Sequence, residues 1–156
     1  MILVGVLAHS ADAPVVPVGV CDVLRDLAAH DGKNVAVVGR YSFRETGGRW
    51  VGEQSCSALT VPPQLWLLED SKSAPKLPEN FEVDGAVLKQ KFEELQHRAP
   101  LGKFRFGSSD YDRWAVIYGR VETRKGDDAK KAAANLVIRG DGVIIVLTPE
   151  SRLTAQ

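Results

Sequence analysis

The sequence predicts a mainly β domain with two helices, in which five strands form a small barrel. Three observations lead to this prediction. Apolar residues alternate along several short segments, as they do in half-buried strands. Two other segments show helical spacing, one before the first strand and one between the third and the fourth. Glycine and proline turns separate these segments, and 156 residues are enough for one domain with a real core.

The first helix is predicted from an apolar stripe. The stripe consists of Val20, Val23, Leu24, Leu27 and Ala28. Asp22 in the first turn suits the positive end of the helix dipole. Gly32 is a typical left-handed terminator, because glycine has no Cβ to clash there. We therefore expect one helix of about three turns that ends just before Gly32.

The strands are predicted from alternation and from the turns between them. The five segments are 35–43, 50–59, 61–70, 113–123 and 135–147. Gly47-Gly48 supplies the turn between the first two strands. The second helix, at about 85–98, presents Leu88, Phe92 and Leu95 on one stripe, and we expect it to close an open end of the barrel. A Gly-Asp-Gly turn interrupts the fifth strand, which could also fold back as a hairpin.

The chain divides into three parts. These are an apolar leader (1–17), a single OB-like domain (18–150) and a C-terminal tail (151–156). The leader contains Ala11-Asp12-Ala13, the small-x-small form of a signal-peptidase site. No Lys or Arg precedes the apolar run Ile2–Ala8, and Pro14 follows the site. This pattern fits the end of an export signal whose start lies upstream, with an apolar strand or a disordered leader as the alternative.

The charge balance argues against nucleic acid and anionic membranes as partners. Lys+Arg and Asp+Glu number 20 each, so the chain has no overall basic field. No apolar run approaches the roughly 20 residues that a membrane-spanning helix requires. The composition, with 44% hydrophobic and 26% charged residues, is typical of a soluble globular domain. We expect a monomer or a weak dimer.

The order of elements favours one particular barrel. Five strands with the internal helix between the third and the fourth is the element order of the OB-fold, a partly open Greek-key barrel. Gly39 inside the first strand suits a small barrel, in which strands bend at glycines or bulges. We therefore expect an OB-like barrel with one helix before strand 1 and one between strands 3 and 4. Another small α+β sandwich with the same order is the alternative.

The first half of the chain resembles a group of small exported, largely uncharacterised bacterial proteins of OB-like fold. The resemblance covers residues 18–70. It lies in a helix with an early cysteine, the pattern Asp-Gly-Lys-x-Val-x-Val-x-Gly and a second cysteine. Those positions are Cys21, Asp31, Gly32, Lys33, Val35, Val37, Gly39 and Cys56. The resemblance implies export and an OB-like fold, and it brings no catalytic residues, because the group has none in common.

The two cysteines, Cys21 and Cys56, form an even pair with no histidine at zinc-ligand spacing. In an OB-like barrel the leading helix can lie across the first two strands, which would bring the two Cα atoms within the ~6 Å that a disulfide needs. We therefore predict a Cys21–Cys56 disulfide. Such a bond persists only in an oxidising compartment, so it supports export. Two buried thiols or a reactive thiol are the alternatives.

No catalytic motif stands out in the sequence. It contains no Gly-x-Ser-x-Gly elbow, phosphate-binding loop or dinucleotide-binding glycine pattern. Asp110 and Asp112 lie close together before the fourth strand, but Ser-Ser-Asp is a common turn composition. His30 at a helix end suits the helix dipole better than a role as a metal ligand. We therefore expect no enzymatic activity, no cofactor and no metal.

A binding surface is the remaining candidate for a functional site. OB-folds bind ligands across strands 2 and 3, between the loops that join strands 1 and 2 and strands 4 and 5. The corresponding residues here are Arg44, Arg49, Trp50, Trp66, Arg124 and Lys125. Aromatic rings with cationic neighbours suit single-stranded nucleic acid or sugars, although both tryptophans would more commonly belong to the core. We expect the loop 124–131 to be solvated and mobile, since its charges nearly cancel.

Two functions remain in view. The first, which we favour, is an exported, non-catalytic OB-like module, periplasmic or secreted, that binds a small or polymeric ligand or a partner protein. The second is a cytoplasmic OB-fold protein that binds single-stranded nucleic acid. Its fold suits this role, but its neutral charge does not. An enzyme of unrecognised type is a weaker third possibility.

Overall fold

The computed structural model describes residues 14–45, 47–98, 111–139 and 144–147. The predicted leader lies mostly outside the described residues, and the predicted tail lies outside them entirely. The Gly-Asp-Gly turn predicted at 140–142 also falls outside them. Among the described residues, no helix is long and apolar enough to cross a membrane.

The described residues form seven strands, three α-helices and one 3₁₀ helix. The strands are β1 (Val18–Gly19), β2 (Asn34–Arg44), β3 (Gly48–Gly52), β4 (Gln64–Glu69), β5 (Tyr111–Thr123), β6 (Ala134–Ile138) and β7 (Ile144–Leu147). The α-helices are α1 (Val20–Arg25), α2 (Leu27–His30) and α3 (Gly85–Arg98), and the 3₁₀ helix is Gly126–Lys130. The predicted mainly β fold is confirmed.

Five of the strands close into a barrel. The strand order is β2-β3-β4-β6-β5, and β2 pairs again with β5 to complete the ring. The longest ladder joins residues 34–43 of β2 to residues 111–120 of β5 in antiparallel register. β4 and β6 are parallel neighbours, with Trp66 opposite Asn135. The closed five-stranded barrel is therefore confirmed, and its arrangement is consistent with an OB-like barrel.

Two short strands, β1 and β7, lie outside the ring of five and extend its ladders. β1 runs parallel to β2, with Val18 opposite Val37. β6 and β7 both run antiparallel to β5, and they pair with its second and first halves respectively. β2 pairs with one edge of β5 over residues 111–120, so β6 and β7 must pair with the opposite edge. They lie end to end along that edge. The fifth predicted strand is thus interrupted but does not fold back as a hairpin.

Two predicted elements have different bounds in the structure. The predicted single helix before the first strand is wrong, because it is two short helices, α1 and α2. Asp26 between them has φ −134° and ψ 58°, which is not helical, and aspartate is a weak helix former. Gly32 does take the predicted left-handed conformation, at φ 77°. The second strand ends at Gly52 rather than continuing to residue 59, so Cys56 lies in a loop and not in a strand.

The interior of the barrel is the larger of two hydrophobic cores. It combines α1 residues Val20, Val23 and Leu24 with strand residues Val37, Val51, Leu65, Ile117 and Leu136. These strand positions alternate with residues on the outer surface, as a pleated strand requires. Since α1 contacts β1, β2 and β4, this short helix closes the barrel end that was assigned to the second helix.

A second core lies on the outer face of β2 and β5, beneath α3. Its buried members are Ala36, Val38, Leu95, Trp114, Val116 and Tyr118. Leu88 and Phe92 pack against this core together with residues of the preceding loop. The predicted apolar stripe of α3 is therefore correct, but its predicted position at an open end is wrong. The physical reason is that β2 and β5 are apolar on both faces, so the outer face also needs a cover.

Polar contacts join α1 to the loop after β3 and to α3. The backbone N–H of Cys21 donates to Oε2 of the buried Glu53 at 2.6 Å. Asp22 accepts from Gly19 N–H at 2.8 Å and pairs with Lys91 Nζ of α3 at 2.7 Å. Burial alone would raise the pKa of the Asp22 carboxyl, but the hydrogen bonds from Lys91 and Gly19 lower it below its usual value of 3.8. These contacts fix α1 between the loop after β3 and α3.

The predicted Cys21–Cys56 disulfide is present. Its Cα atoms are 5.3 Å apart, and both cysteines are buried. The bond ties α1 to the loop that leaves β3, next to the Glu53 contact. The two alternatives of buried thiols and a reactive thiol are thereby excluded.

We predict that Phe92→Ala lowers the free energy of unfolding by about 3 kcal/mol, because it removes a large apolar side chain from the outer core. The Phe92 ring meets Trp114 edge to face at 5.8 Å. Denaturant unfolding would measure the loss, with exposed Lys89→Ala on the same helix as the control. A loss below 1 kcal/mol would show that α3 is not part of the cooperative fold.

We predict that the double variant Cys21→Ala/Cys56→Ala unfolds with roughly 3–4 kcal/mol less free energy than the oxidised protein. The bond closes a loop with a sequence separation of 35 residues, and the expected loss follows from the chain entropy that this closure removes. Reducing agent should destabilise the parent protein by a similar amount and leave the variant unchanged. Two titratable thiols in the denatured, unreduced protein would contradict the assignment.

Candidate functional site

Two tryptophans stack on the outer face of β3 and β4. Trp50 and Trp66 are direct cross-strand partners, and their rings lie 6.0 Å apart at an interplanar angle of 17°. Their neighbours Val51 and Leu65 point into the barrel, so the alternation of the strands places both indoles outside. Neither indole therefore points into the barrel interior, but Trp50 is buried, with 7% of its surface exposed.

An arginine covers each end of this stack. The Arg44 guanidinium lies 5.9 Å from the Trp50 ring centre, and the Arg124 guanidinium lies 5.6 Å from that of Trp66. We call Arg44, Trp50, Trp66 and Arg124 the tryptophan row. Each cation–π contact of this kind contributes about 0.5–2 kcal/mol, depending on its exposure to water. The row crosses the barrel from the end of β2 to the loop after β5.

Gly48 is the local reason that the Trp66 ring can lie over the hairpin. Gly48 is paired with Arg44 at the start of β3 and has φ 86°. A Cβ at this position would lie 2.5 Å from the Trp66 ring. Any other residue would therefore clash with the indole as well as strain the backbone. The Gly47-Gly48 turn predicted from the sequence thus also shapes the tryptophan row.

The loop that holds Arg124 is attached to the barrel at both ends. Arg124 N–H donates to Ala133 O at 2.9 Å, and Gln64 Nε2 of β4 donates to Lys131 O at 2.7 Å. The 3₁₀ helix Gly126–Lys130 lies between these contacts. Most of its residues are exposed, as predicted for a solvated loop. The 3₁₀ helix itself was not predicted, and the mobility of the loop stays a prediction.

Asp31 fixes the strand end directly before Arg124. Its Oδ1 accepts from the backbone N–H of Thr123 at 2.8 Å and from the Thr123 hydroxyl at 3.0 Å. These two hydrogen bonds lower the pKa of the Asp31 carboxyl below 3.8. Asp31 belongs to the Asp-Gly-Lys pattern, but nothing in that pattern indicates a partner on β5. It is a positioning residue that the sequence did not reveal.

Two of the six predicted site residues lie outside the row. Arg49 shares the opposite face of β3 with Val51 and pairs with Glu69 at 2.6 Å. Burial alone would lower the pKa of Arg49, but hydrogen bonds with Tyr41 and Glu69 raise it. Lys125 is exposed next to Arg124 and does not contact either indole among the contacts described. The structure therefore brings together four residues, Arg44, Trp50, Trp66 and Arg124.

Apolar surface continues beside the row. Leu68 lies two residues after Trp66 on the same face of β4, and it is 43% exposed. Among the described residues, no group of three or more His, Cys, Asp or Glu side chains could hold a metal ion. The side chains of the row offer ring edges and guanidinium donors, and Leu68 adds an exposed aliphatic group beside them. Such a surface can bind a ligand through its rings and its guanidinium donors.

Comparison of the chain with models of known protein families, with curated proteins and with solved structures finds no match. The tryptophan row must therefore be interpreted from its own geometry.

We predict that Asp31 titrates below 3.8 in the native protein and that Thr123→Val raises its pKa by removing one of the two donors. Because the folded-state pKa is lowered, the contribution of Asp31 to stability is present above its unfolded pKa and is lost as pH falls through the folded value. Carboxyl chemical shifts would measure the titration. The Asp31→Asn variant should lose less stability on acidification than the parent, and an Asp31 pKa at or above 3.8 would contradict the contact.

Proposed function

We propose that the protein is a non-catalytic, OB-like ligand-binding module that works outside the reducing cytoplasm, in the periplasm or after secretion. The ligand docks on the outer face of β3 and β4, over the tryptophan row. The observation that carries this proposal is the row itself, in which two arginines and two tryptophans from four separate chain segments converge on one surface.

The topology of the barrel supports the OB-like, Greek-key assignment. The third and fifth barrel strands, β4 and β6, are parallel neighbours, and α3 connects the third strand to the fourth. In OB-folds the ligand face is formed by strands 2 and 3 with two flanking loops. Here strands 2 and 3 are β3 and β4, and the flanking loops begin at Arg44 and Arg124. The tryptophan row therefore occupies the position at which OB-folds bind their ligands.

One observation supports the proposed location, and a second is compatible with it. The buried Cys21–Cys56 disulfide is a bond that reducing compartments do not maintain. In addition, Val15 exchanges backbone hydrogen bonds with Glu82 O at 2.8 Å and Asp84 N at 2.9 Å. Signal-peptide cleavage after Ala13 would leave both of these bonds in place. Cleavage after Ala13 is thus compatible with the described fold.

A cytoplasmic single-stranded nucleic acid binder is the second candidate. The observation in its favour is the combination of indoles and guanidinium groups, which in other proteins stack bases and contact phosphates. Against it stand the equal numbers of acidic and basic residues, because phosphate-tracking grooves are strongly basic. The disulfide also argues against a cytoplasmic location.

The experiment is a binding screen with two kinds of probe, a glycan array and a fluorescently labelled oligothymidine of about a dozen nucleotides. We predict that any ligand of the row loses at least tenfold in affinity with Trp66→Ala, about 1.4 kcal/mol, and several-fold with Arg44→Ala. Arg25→Ala is the matched control, because Arg25 is an exposed arginine on α1. Circular dichroism would show that each variant is folded.

Each outcome of the screen decides between the candidates. Micromolar oligothymidine binding that weakens steeply with salt would support the nucleic acid binder and overturn the preferred function. A ligand whose affinity is unchanged by both Trp66→Ala and Arg44→Ala would show that the row is not the binding face.

A further inference from the structure

The faces of both indoles are already covered within the tryptophan row. The strand order places Trp50 between Arg44 of β2 and Trp66 of β4. Trp66 in turn lies between Trp50 and Arg124. A flat ligand would therefore have to displace an arginine before it could stack on either ring. The remaining polar groups of the row are hydrogen-bond donors, at the indole edges and on the guanidinium groups.

Two of these donors have no acceptor. Within the described part of the chain, Trp50 Nε1 and Arg124 Nη1 are buried and lack a hydrogen-bond partner. Trp50 is 7% exposed, and the Arg124 side chain is 12% exposed. Buried donors are nearly always paired in native proteins, because an unpaired donor loses its bonds to water without replacement. Two such donors in one row indicate that the row is completed by acceptor atoms.

The charge of Arg124 is only loosely neutralised. Asp128 Oδ1 lies 3.6 Å from Arg124 Nη2, which is beyond hydrogen-bond length, and the Asp128 side chain is 81% exposed. Because the Asp128 side chain is exposed and the contact is long, this pair contributes little stability. The same loop places Lys130 against Asp127 at 2.8 Å, so Asp127 is engaged elsewhere. Arg124 is therefore a largely buried cation whose long contact with Asp128 can be replaced at low cost.

We propose that the tryptophan row recognises an oxyanion, a carboxylate or phosphate group of a small ligand, which binds Arg124 in place of Asp128. This inference rests on the proposed function and names the chemistry of its ligand. A guanidinium binds such groups through two parallel N–H bonds, and these would use Nη1 together with Nη2.

Access to Arg124 Nη1 requires the loop to shift. The 3₁₀ helix Gly126–Lys130 begins at a glycine with φ 65°, and its attachments to the barrel lie outside it, at Arg124 and Lys131. Displacement of this segment would carry Asp128 away from the guanidinium. The oxyanion therefore competes with Asp128, and removal of the Asp128 charge should favour the ligand.

The overall neutrality of the chain favours a ligand of one or two charges over a polyanion. The test uses three probes: inorganic phosphate, D-glucuronate and neutral D-glucose. Titration of each probe would be followed through the indole N–H signals of the three tryptophans in ¹⁵N–¹H spectra. We expect phosphate or glucuronate to shift the Trp50 and Trp66 signals in a saturable manner, whereas glucose should not. The preference between the two anions distinguishes phosphate from carboxylate ligands.

Three variants make the test specific. Arg124→Gln should weaken anion binding at least tenfold, and Asp128→Asn should strengthen it several-fold, because it removes the competing carboxylate. Arg25→Gln, which removes a cation outside the row, should change nothing. Since Asp128 is exposed, its variant is expected to fold even if Arg124→Gln does not.

Two results would overturn the inference. Glucose binding equal to that of glucuronate would show that the anionic group is not recognised. Anion affinity that is unchanged in Asp128→Asn and Arg124→Gln would show nonspecific binding only. Neither result would remove the proposed function, which fails separately if Trp66→Ala leaves all ligand binding intact.

Discussion

The antiparallel ladder between β2 and β5 is the constraint on which the rest of the structure depends. It joins ten residue pairs, and apolar side chains project from both of its faces. Val37 and Ile117 point into the barrel, whereas Val38 and Val116 point outward. A ladder that is apolar on both sides must be covered on both sides. The barrel supplies the inner cover, and α3 with its preceding loop supplies the outer one.

The position of α3 determines which part of the outer surface of the barrel it leaves uncovered. Because α3 lies over β2 and β5, it leaves the outer face of β3 and β4 to the tryptophan row. The barrel end is closed by α1 instead. The disulfide and the Cys21–Glu53 hydrogen bond hold this helix in place. The apolar cover and the tryptophan row thus lie on different parts of the outer surface of the barrel. Trp114 supports the fold under α3, while Trp50 and Trp66 form a surface of their own.

Local patterns in the sequence predicted most of the strands, but they did not predict which element packs on each face of a strand. The alternation over residues 35–43 predicts β2 correctly, because a pleated strand imposes a period of two on its side chains. The stripe of α3 was equally visible, yet a stripe does not say which surface it covers. Four residues of the row were named from the expected ligand face. The stacking order of these four residues depends on cross-strand register, which no local sequence pattern indicates. The Asp31–Thr123 contact joins residues 92 positions apart, so no local pattern indicates it either.

The parallel pairing of β4 with β6 has a consequence for the way in which the chain folds. The barrel closes only when residues 64–69 pair with residues 134–138. This pairing closes a long loop in the chain between two segments that are distant in sequence. Contacts of high sequence separation slow folding, because the entropy of loop closure is lost before the contacts form. Until β6 inserts, β4 and β5 each present an unpaired edge, which is a template for aggregation. The insertion of one five-residue strand therefore sets how long the nascent protein is exposed to misassembly.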